Sequence, residues 1–211
     1  MSTSEEYRGK RIVIRFDGAR CVHARNCVLQ APTVFRANVV GPWIDPDAMD
    51  ADELAAVARA CPSGAIQYER LDGAAAEAPP LVNTIRVREN GPLEIRADLR
   101  IAGEEPRLRA TLCRCGHSAH KPYCDGAHAT ACFAASGEAR TQDSAPLAVR
   151  NGALTITPAE NGPLLVSGPV EITTGTGRTI LRTDKCALCR CGQSRNKPYC
   201  DGSHKAVGFT S

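Results

Sequence analysis

Apolar residues alternate through Ile12, Ile14 and Phe16, the two-residue period of a strand with one buried face. After Asp50 the period lengthens. In ADELAAVARAC, Leu54, Val57, Ala58 and Cys61 fall at i, i+3, i+4 and i+7, which predicts a helix; Asp50 with Glu53 three residues on reads as its capping box. AIQYER then predicts a returning strand. Residues 1–72 are therefore read as one small α/β domain, and DGAAAEAPP, small, proline-containing and without period, as the linker over 72–80.

Beyond the linker the pattern turns to strands and repeats itself. RENGPLEIRADL around Asn90-Gly91 matches AENGPLLVSGPV around Asn161-Gly162, and in both the Asn-Gly lies between alternating β-type residues, which predicts a hairpin. Each hairpin leads to a cysteine loop, CRCGHSAHKPYCDGAH over 113–128 and CRCGQSRNKPYCDGSH over 189–204. AASGEARTQDSAP, 134–146, separates the copies, giving units at 81–133 and 147–211. Gly91 to Cys113 is five residues shorter than Gly162 to Cys189, which predicts a loop insertion in the second copy. The expected class is α+β: a small α/β domain followed by two β-rich units.

Composition narrows the chemistry. Aromatic residues make up only 4% of 211, too few for one large aromatic core, so small modules held by something besides packing are expected. Eleven cysteines must then be disulfides, metal ligands or redox thiols. MSTSEEYRGKR has adjacent glutamates and no apolar run, so no export signal or presequence is expected there, and no stretch is long enough to span a membrane. A soluble cytoplasmic protein follows as the expectation, and a reducing cytosol favours metal over disulfides. The net charge of +3 rests on scattered arginines without an aromatic platform, so no nucleic-acid partner is expected. Glycine-rich nucleotide loops and a Ser-His-Asp motif are absent, so no enzyme activity is expected.

Each loop offers three thiolates and one imidazole. Zinc can take such a set, although its usual loops space the first cysteine pair by two residues or more. Alternatively, the tight Cys-x-Cys pair serves one iron of a dinuclear cluster and the distant Cys and His serve the other. Pro122 and Pro198 restrict the approach to the third cysteine, while Asp125-Gly126 and Asp201-Gly202 suit the start of a short helix whose amides can donate to sulfur.

The pattern C-x-C-x2-S-x3-P-x-C-D-G-(A/S)-H resembles the CDGSH, or NEET, iron-sulfur family, and both copies match it throughout, within a likeness covering roughly 82–211. The resemblance implies one 2Fe-2S cluster on Cys113, Cys115, Cys124 and His128 and another on Cys189, Cys191, Cys200 and His204, with each histidine on the outer iron. Unlike the membrane-anchored members, this chain shows no anchor. Two motifs on one chain imply that the family's dimer is replaced by an internal pseudo-dimer, a monomer with pseudo-twofold symmetry.

In the N-terminal domain, Cys21 and Cys27 fall in the loop after the first strand, and Cys61-Pro62 where the helix meets the last. C-x5-C with a distant C-P is a ferredoxin-like arrangement in which Ala24 stands where Cys-x2-Cys-x2-Cys ferredoxins have a ligand. CVHARNCVLQAPTVF with CPSGAI resembles the divergent mono-cluster ferredoxin domain, and also the three-iron ferredoxins. This implies a 3Fe-4S cluster on Cys21, Cys27 and Cys61, or 4Fe-4S if His23 supplies a fourth ligand. The plain alternative is a cluster-free domain with three incidental cysteines.

Other residues are read as structural. Cys186 has no counterpart in the first copy and is expected to be a packed or free thiol; Cys132 has no partner at ligand spacing. His117 and His120, replaced by Gln193 and Asn196, read as solvated loop residues, and Trp43 as core. Lys121 and Lys197 are cations that could shift a nearby imidazole. The expected function is a single-electron carrier between redox partner proteins. The competing expectation is a redox or iron-sulfur sensor that hands labile clusters to apo-proteins.

Overall fold

The computed structural model describes residues 4–211; Met1 to Thr3, the head of the segment read as lacking an export signal, lie outside the described residues. The chain divides into two compact units, one ending at Ala78 and one beginning at Pro79.

In the first unit β1 (Glu5–Arg8), β2 (Ile12–Phe16) and β3 (Ile66–Arg70) form an antiparallel sheet in the order β1-β2-β3, with Ile14 opposite Tyr7 on one side and Tyr68 on the other. α1 (Asn26–Gln30) and α2 (Ala51–Arg59) complete it. The apolar face of α2, Leu54, Ala55 and Ala58, packs with Ile12, Ile14 and Ile66 into one core. Burying each leucine or isoleucine of this set contributes about 1.5–3 kcal/mol relative to exposure, and each alanine less. Asp50 caps α2 through the Asp52 amide (2.8 Å). Trp43 is half-buried and meets Phe16 edge-on at 4.9 Å.

Two expectations shift here. Cys61 is not the last residue of the helical stripe: α2 ends at Arg59, because the ring of Pro62 disfavours helical backbone at the residue before it. Cys27 is not in a loop but in α1, while Cys21 follows a short 3-10 turn, Gly18–Arg20.

The second unit is one six-stranded sheet: β4 (Thr84–Val87), β5 (Leu93–Ile101), β6 (Arg107–Leu112), β7 (Ala153–Pro158), β8 (Leu164–Thr174) and β9 (Thr179–Leu188). Asn90 and Asn161 adopt the left-handed conformation that the hairpin turns require, at φ 49° and 46°. β4 and β5 pair antiparallel, as do β7 and β8. β4 also pairs in parallel with β8, and β7 with β5. The first strand of each copy thus lies along the long strand of the other, and residues of both copies fill a single core.

The five extra residues of the second copy lengthen strands and not the loop between them. β8 and β9 run 11 and 10 residues against 9 and 6 for β5 and β6. The stretch 134–146 is not a free separator either. Asn90 and Ala135 exchange backbone and side-chain hydrogen bonds, Gly137 N–H donates to Glu89 (2.6 Å), and Gln142 N–H donates to Ile180 O (2.8 Å), which lays the stretch along the sheet.

Candidate metal centres

Both cysteine loops are built by the same local bonds. Cys113 N–H donates to Pro122 O and Cys124 N–H to Thr111 O; Cys189 and Cys200 do the same to Pro198 O and Ala187 O, all at 2.8–3.0 Å. The first and third cysteines of each loop are thereby fixed on two short antiparallel segments. Ser118 and Ser194 brace the turn between them, each hydroxyl donating to a tyrosine carbonyl (2.6 Å) and accepting an amide (3.0 Å).

Aspartate then closes the loop. Asp125 accepts from the Ala119 and Ala127 amides (2.7 and 3.0 Å), and Asp201 from those of Arg195 and Ser203 (2.8 and 3.0 Å). The hydrogen bond from Ser203 and then that from Arg195 hold the Asp201 carboxyl well below the usual carboxylate range. Gly126 and Gly202, at φ 89° and 87°, turn the chain into α3 (Ala127–Thr130) and α4 (Ser203–Ala206). Those helices carry His128 and His204.

The result is two close donor pairs per loop. Sγ of Cys113 and Cys115 stand 3.7 Å apart, and those of Cys189 and Cys191 3.8 Å. Cys124 Sγ lies 3.4 Å from His128 Nδ1, and Cys200 Sγ 3.5 Å from His204 Nδ1. Metal–sulfur bonds of about 2.3 Å at a tetrahedral angle place two sulfurs about 3.8 Å apart, so each pair has the bite of one metal ion. Among the described residues no three His, Cys, Asp or Glu side chains converge on one ion. The donors come in twos, a set that fits a dinuclear group better than a single zinc.

Amides of His117, Gln193 and Gly202 donate to cysteine sulfurs at 3.4–3.5 Å. The Cys-x-Cys side is buried in both loops, whereas His128 and His204 are half-exposed. Burial pushes the Cys124 thiol up to about 11. The Cys113 thiol is instead pushed down by the hydrogen bond from Cys115, whose own thiol rises in return. Crowded thiols of this kind resist losing all their protons at once, and metal binding displaces those protons.

The N-terminal cysteines are arranged differently. Cys21, Cys27 and Cys61 line one cavity with Phe16, Val22, Trp43 and Pro62. Asn26 Nδ2 donates to Ala60 O (3.0 Å), tying α1 to the end of α2 so that Cys27 and Cys61 share that cavity. Burial raises the Cys21 and Cys27 thiols, and the charge of Cys61 adds to the effect in both. Ala24, the replaced ligand position, lines the cavity, whereas His23 is exposed and is not among the lining residues.

Of the residues read as structural, Trp43 lines the cysteine cavity and His117 touches Cys115 Sγ through its amide alone. Cys186 is half-buried against the core, its thiol pushed up to about 12 by burial, and Cys132 is exposed. Lys121 and Lys197 donate to Ser118 O and Ser194 O (2.8 and 2.6 Å), which ties their ammonium groups to the loop backbone. Sequence reasoning passed over Arg114 and Arg190, the repeated residue inside each Cys-x-Cys. Both are buried and donate to hairpin carbonyls. Their repetition in both copies was the available signal.

Paired thiolate and imidazole donors in a twice-repeated loop, with a third thiolate cluster upstream, define an iron-sulfur protein. The family model described as iron-binding zinc finger, CDGSH type, matches residues 90–129 and 161–205, and the divergent 4Fe-4S mono-cluster model matches 7–71. The chain carries a divergent 4Fe-4S mono-cluster domain ahead of two CDGSH-type iron-binding segments. It is also similar to the uncharacterized protein YjdI of Escherichia coli strain K12, 39% identical over 62 residues, which are 29% of this chain and 80% of that protein. YjdI of Escherichia coli O157:H7 matches to the same extent. Among the described residues no helix is long and apolar enough to cross a membrane.

Proposed function

We propose that this iron-sulfur protein is a cytoplasmic single-electron carrier, not an enzyme, with three centres on one chain. Cys113, Cys115, Cys124 and His128 hold one 2Fe-2S cluster, and Cys189, Cys191, Cys200 and His204 hold a second. The observation that carries this reading is the division of each donor set into two close pairs, one per iron. Bound there, the clusters supply reversible one-electron chemistry. The protein's part is to keep the Cys-x-Cys side dry, to aim amides at sulfur and to present the histidine side to a redox partner protein.

Cys21, Cys27 and Cys61 hold the third centre in a ferredoxin-like N-terminal domain. The matching family model favours 4Fe-4S; only the thiolate count favours 3Fe-4S. The exchanged parallel strands, β4 on β8 and β7 on β5, support reading the second unit as an internal pseudo-dimer.

Metal analysis tests the assignment. Two dinuclear centres and one of four irons require about eight irons and eight acid-labile sulfides per chain. About seven irons would indicate the 3Fe-4S form. One zinc per CDGSH loop without sulfide would overturn the proposal.

The half-exposed His128 and His204 favour a second reading, a sensor or donor whose clusters leave for apo iron-sulfur acceptors. An imidazole at a solvent-facing edge competes with protons for the metal, and that opens a route to release.

A further inference from the structure

Arg114 and Arg190 take no part in ligation, yet only 1% and 4% of their surface is exposed. A buried guanidinium is costly unless its donors are satisfied. Arg114 donates to the carbonyls of Arg88, Gly91, Ala135 and Ser136 at 2.6–3.0 Å and lies over the Phe133 ring. Arg190 donates to Gly162 O, Ala159 O and Ser211 Oγ and lies over Phe209. These partners satisfy the geometry of both groups but are all neutral, so none of them compensates the positive charge.

The two loops meet at these residues. Cys115 and Cys191 face each other in an antiparallel bridge. A Cβ on Gly116 would stand 2.5 Å from Cys191 O, and one on Gly192 2.3 Å from Cys115 O, so the two backbones pack against each other with no room for a side chain. Paired residues in such a bridge have Cα atoms about 5 Å apart. The backbone of each Cys-x-Cys, which carries the arginine, is therefore packed against the opposite Cys-x-Cys. Among the charges acting on Arg114, Cys189 of the other loop comes ahead of Glu89 and of the adjacent Cys115; the one acting on Arg190 is Cys113.

We propose that Arg114 and Arg190 are positioning charges that act across the junction, Arg114 on the site of Cys189, Cys191, Cys200 and His204, and Arg190 on the site of Cys113, Cys115, Cys124 and His128. The proposal rests on the reading that both loops hold dinuclear clusters. A fixed cation in a low-dielectric interior stabilises whichever state of a neighbouring group is more negative. Reduction by dithionite adds one electron to such a site, with no bond made or broken, so removing the cation disfavours the reduced state. A loss of roughly threefold to tenfold in the reduction equilibrium corresponds to a midpoint lowered by about 30–60 mV, at 59 mV per tenfold for one electron.

The test uses the full chain with Cys113→Ser and Cys115→Ser, so that the second loop is the only dinuclear site and its midpoint is read by a mediated dithionite titration followed by electron paramagnetic resonance. Adding Arg114→Gln should lower that midpoint by the stated amount, and Arg114→Lys, which keeps the charge, should restore at least half of the shift. The reciprocal set, Arg190→Gln on Cys189→Ser and Cys191→Ser, reads the first loop in the same way. An unchanged midpoint in either set overturns the inference and leaves the cluster reading intact. Loss of the opposite cluster with Gln but not with Lys supports it; loss with both counts against it, because hydrogen bonding and not charge would then be the cause. Iron and sulfide missing from both loops of the unsubstituted protein would overturn the cluster reading itself, and this inference with it.

Discussion

The CDGSH loops and the N-terminal cavity are two ways of gathering thiolates. In each loop the donors lie close together in sequence and are set by short-range bonds: an antiparallel bridge, a serine brace and an aspartate clasp. In the cavity, Cys21, Cys27 and Cys61 come from a 3-10 turn, a short helix and a helix exit, and tertiary packing assembles them. A local site is a preformed mould, whereas an assembled site is only as good as the core beneath it. The loops should therefore keep their form when the metal leaves, and the cavity should loosen.

The largest effects should come from breaking single ligands. Cys191→Ser should remove about two irons and two sulfides per chain and leave the first loop and the N-terminal centre loaded, while Cys61→Ser should remove the N-terminal irons alone. Iron and sulfide analysis with visible spectra reads both. Loss of every centre from either substitution would break the separation.

Acid should divide the regions next. Imidazole must be neutral to bind metal and has an ordinary value of about 6.5, so mild acidification should bleach the two loops before the N-terminal centre. His204→Cys should slow the loss in its own loop. Asp201 sharpens the assignment. Its folded value lies below the ordinary aspartate value of about 3.9, so its support for the loop is present above that value and is lost only as pH falls through the depressed one. Bleaching well above the aspartate value would belong to the histidine ligands and not to the clasp. Bleaching of the N-terminal centre at the same pH would contradict the comparison.

Smaller shifts should come from the glycines. Gly116→Ala combines a backbone at φ 88° with a clash against Cys191 O, whereas Gly126→Ala, at φ 89°, meets nothing within 4 Å. The first should destabilise the second unit by about 2–4 kcal/mol and disturb both loops; the second should cost about 1 kcal/mol and disturb only its own. Denaturant unfolding of the apo-protein and loading of each loop would show this. Equal costs would mean that the loops do not depend on their junction.

What could be read from the sequence follows the same divide. Strands β2 and β3, helix α2, both Asn-Gly hairpins and the aspartate-glycine turns were legible because each carries its own pattern within a few residues. Cys61 looked helical by period, yet the restriction imposed by Pro62 ended the helix first. The stretch 134–146 looked like a separator because its residues are small and polar. It is held by partners far away in sequence, among them Arg114 and Glu89, which take up its carbonyls and amides. The extra residues of the second copy became strand and not loop, extending the pairing of β8 with β9 as far as Thr173 and Thr179, a pairing that local pattern cannot show.

The carrier reading is tested most directly by mixing the reduced, fully loaded protein with an oxidised one-electron acceptor and an apo-ferredoxin, followed by separation and iron and sulfide analysis of each protein. The account predicts that the acceptor is reduced while all iron and sulfide stay on this chain. Intact cluster on the apo-ferredoxin, with the two CDGSH loops emptied and the acceptor still oxidised, would contradict it and identify a cluster donor instead.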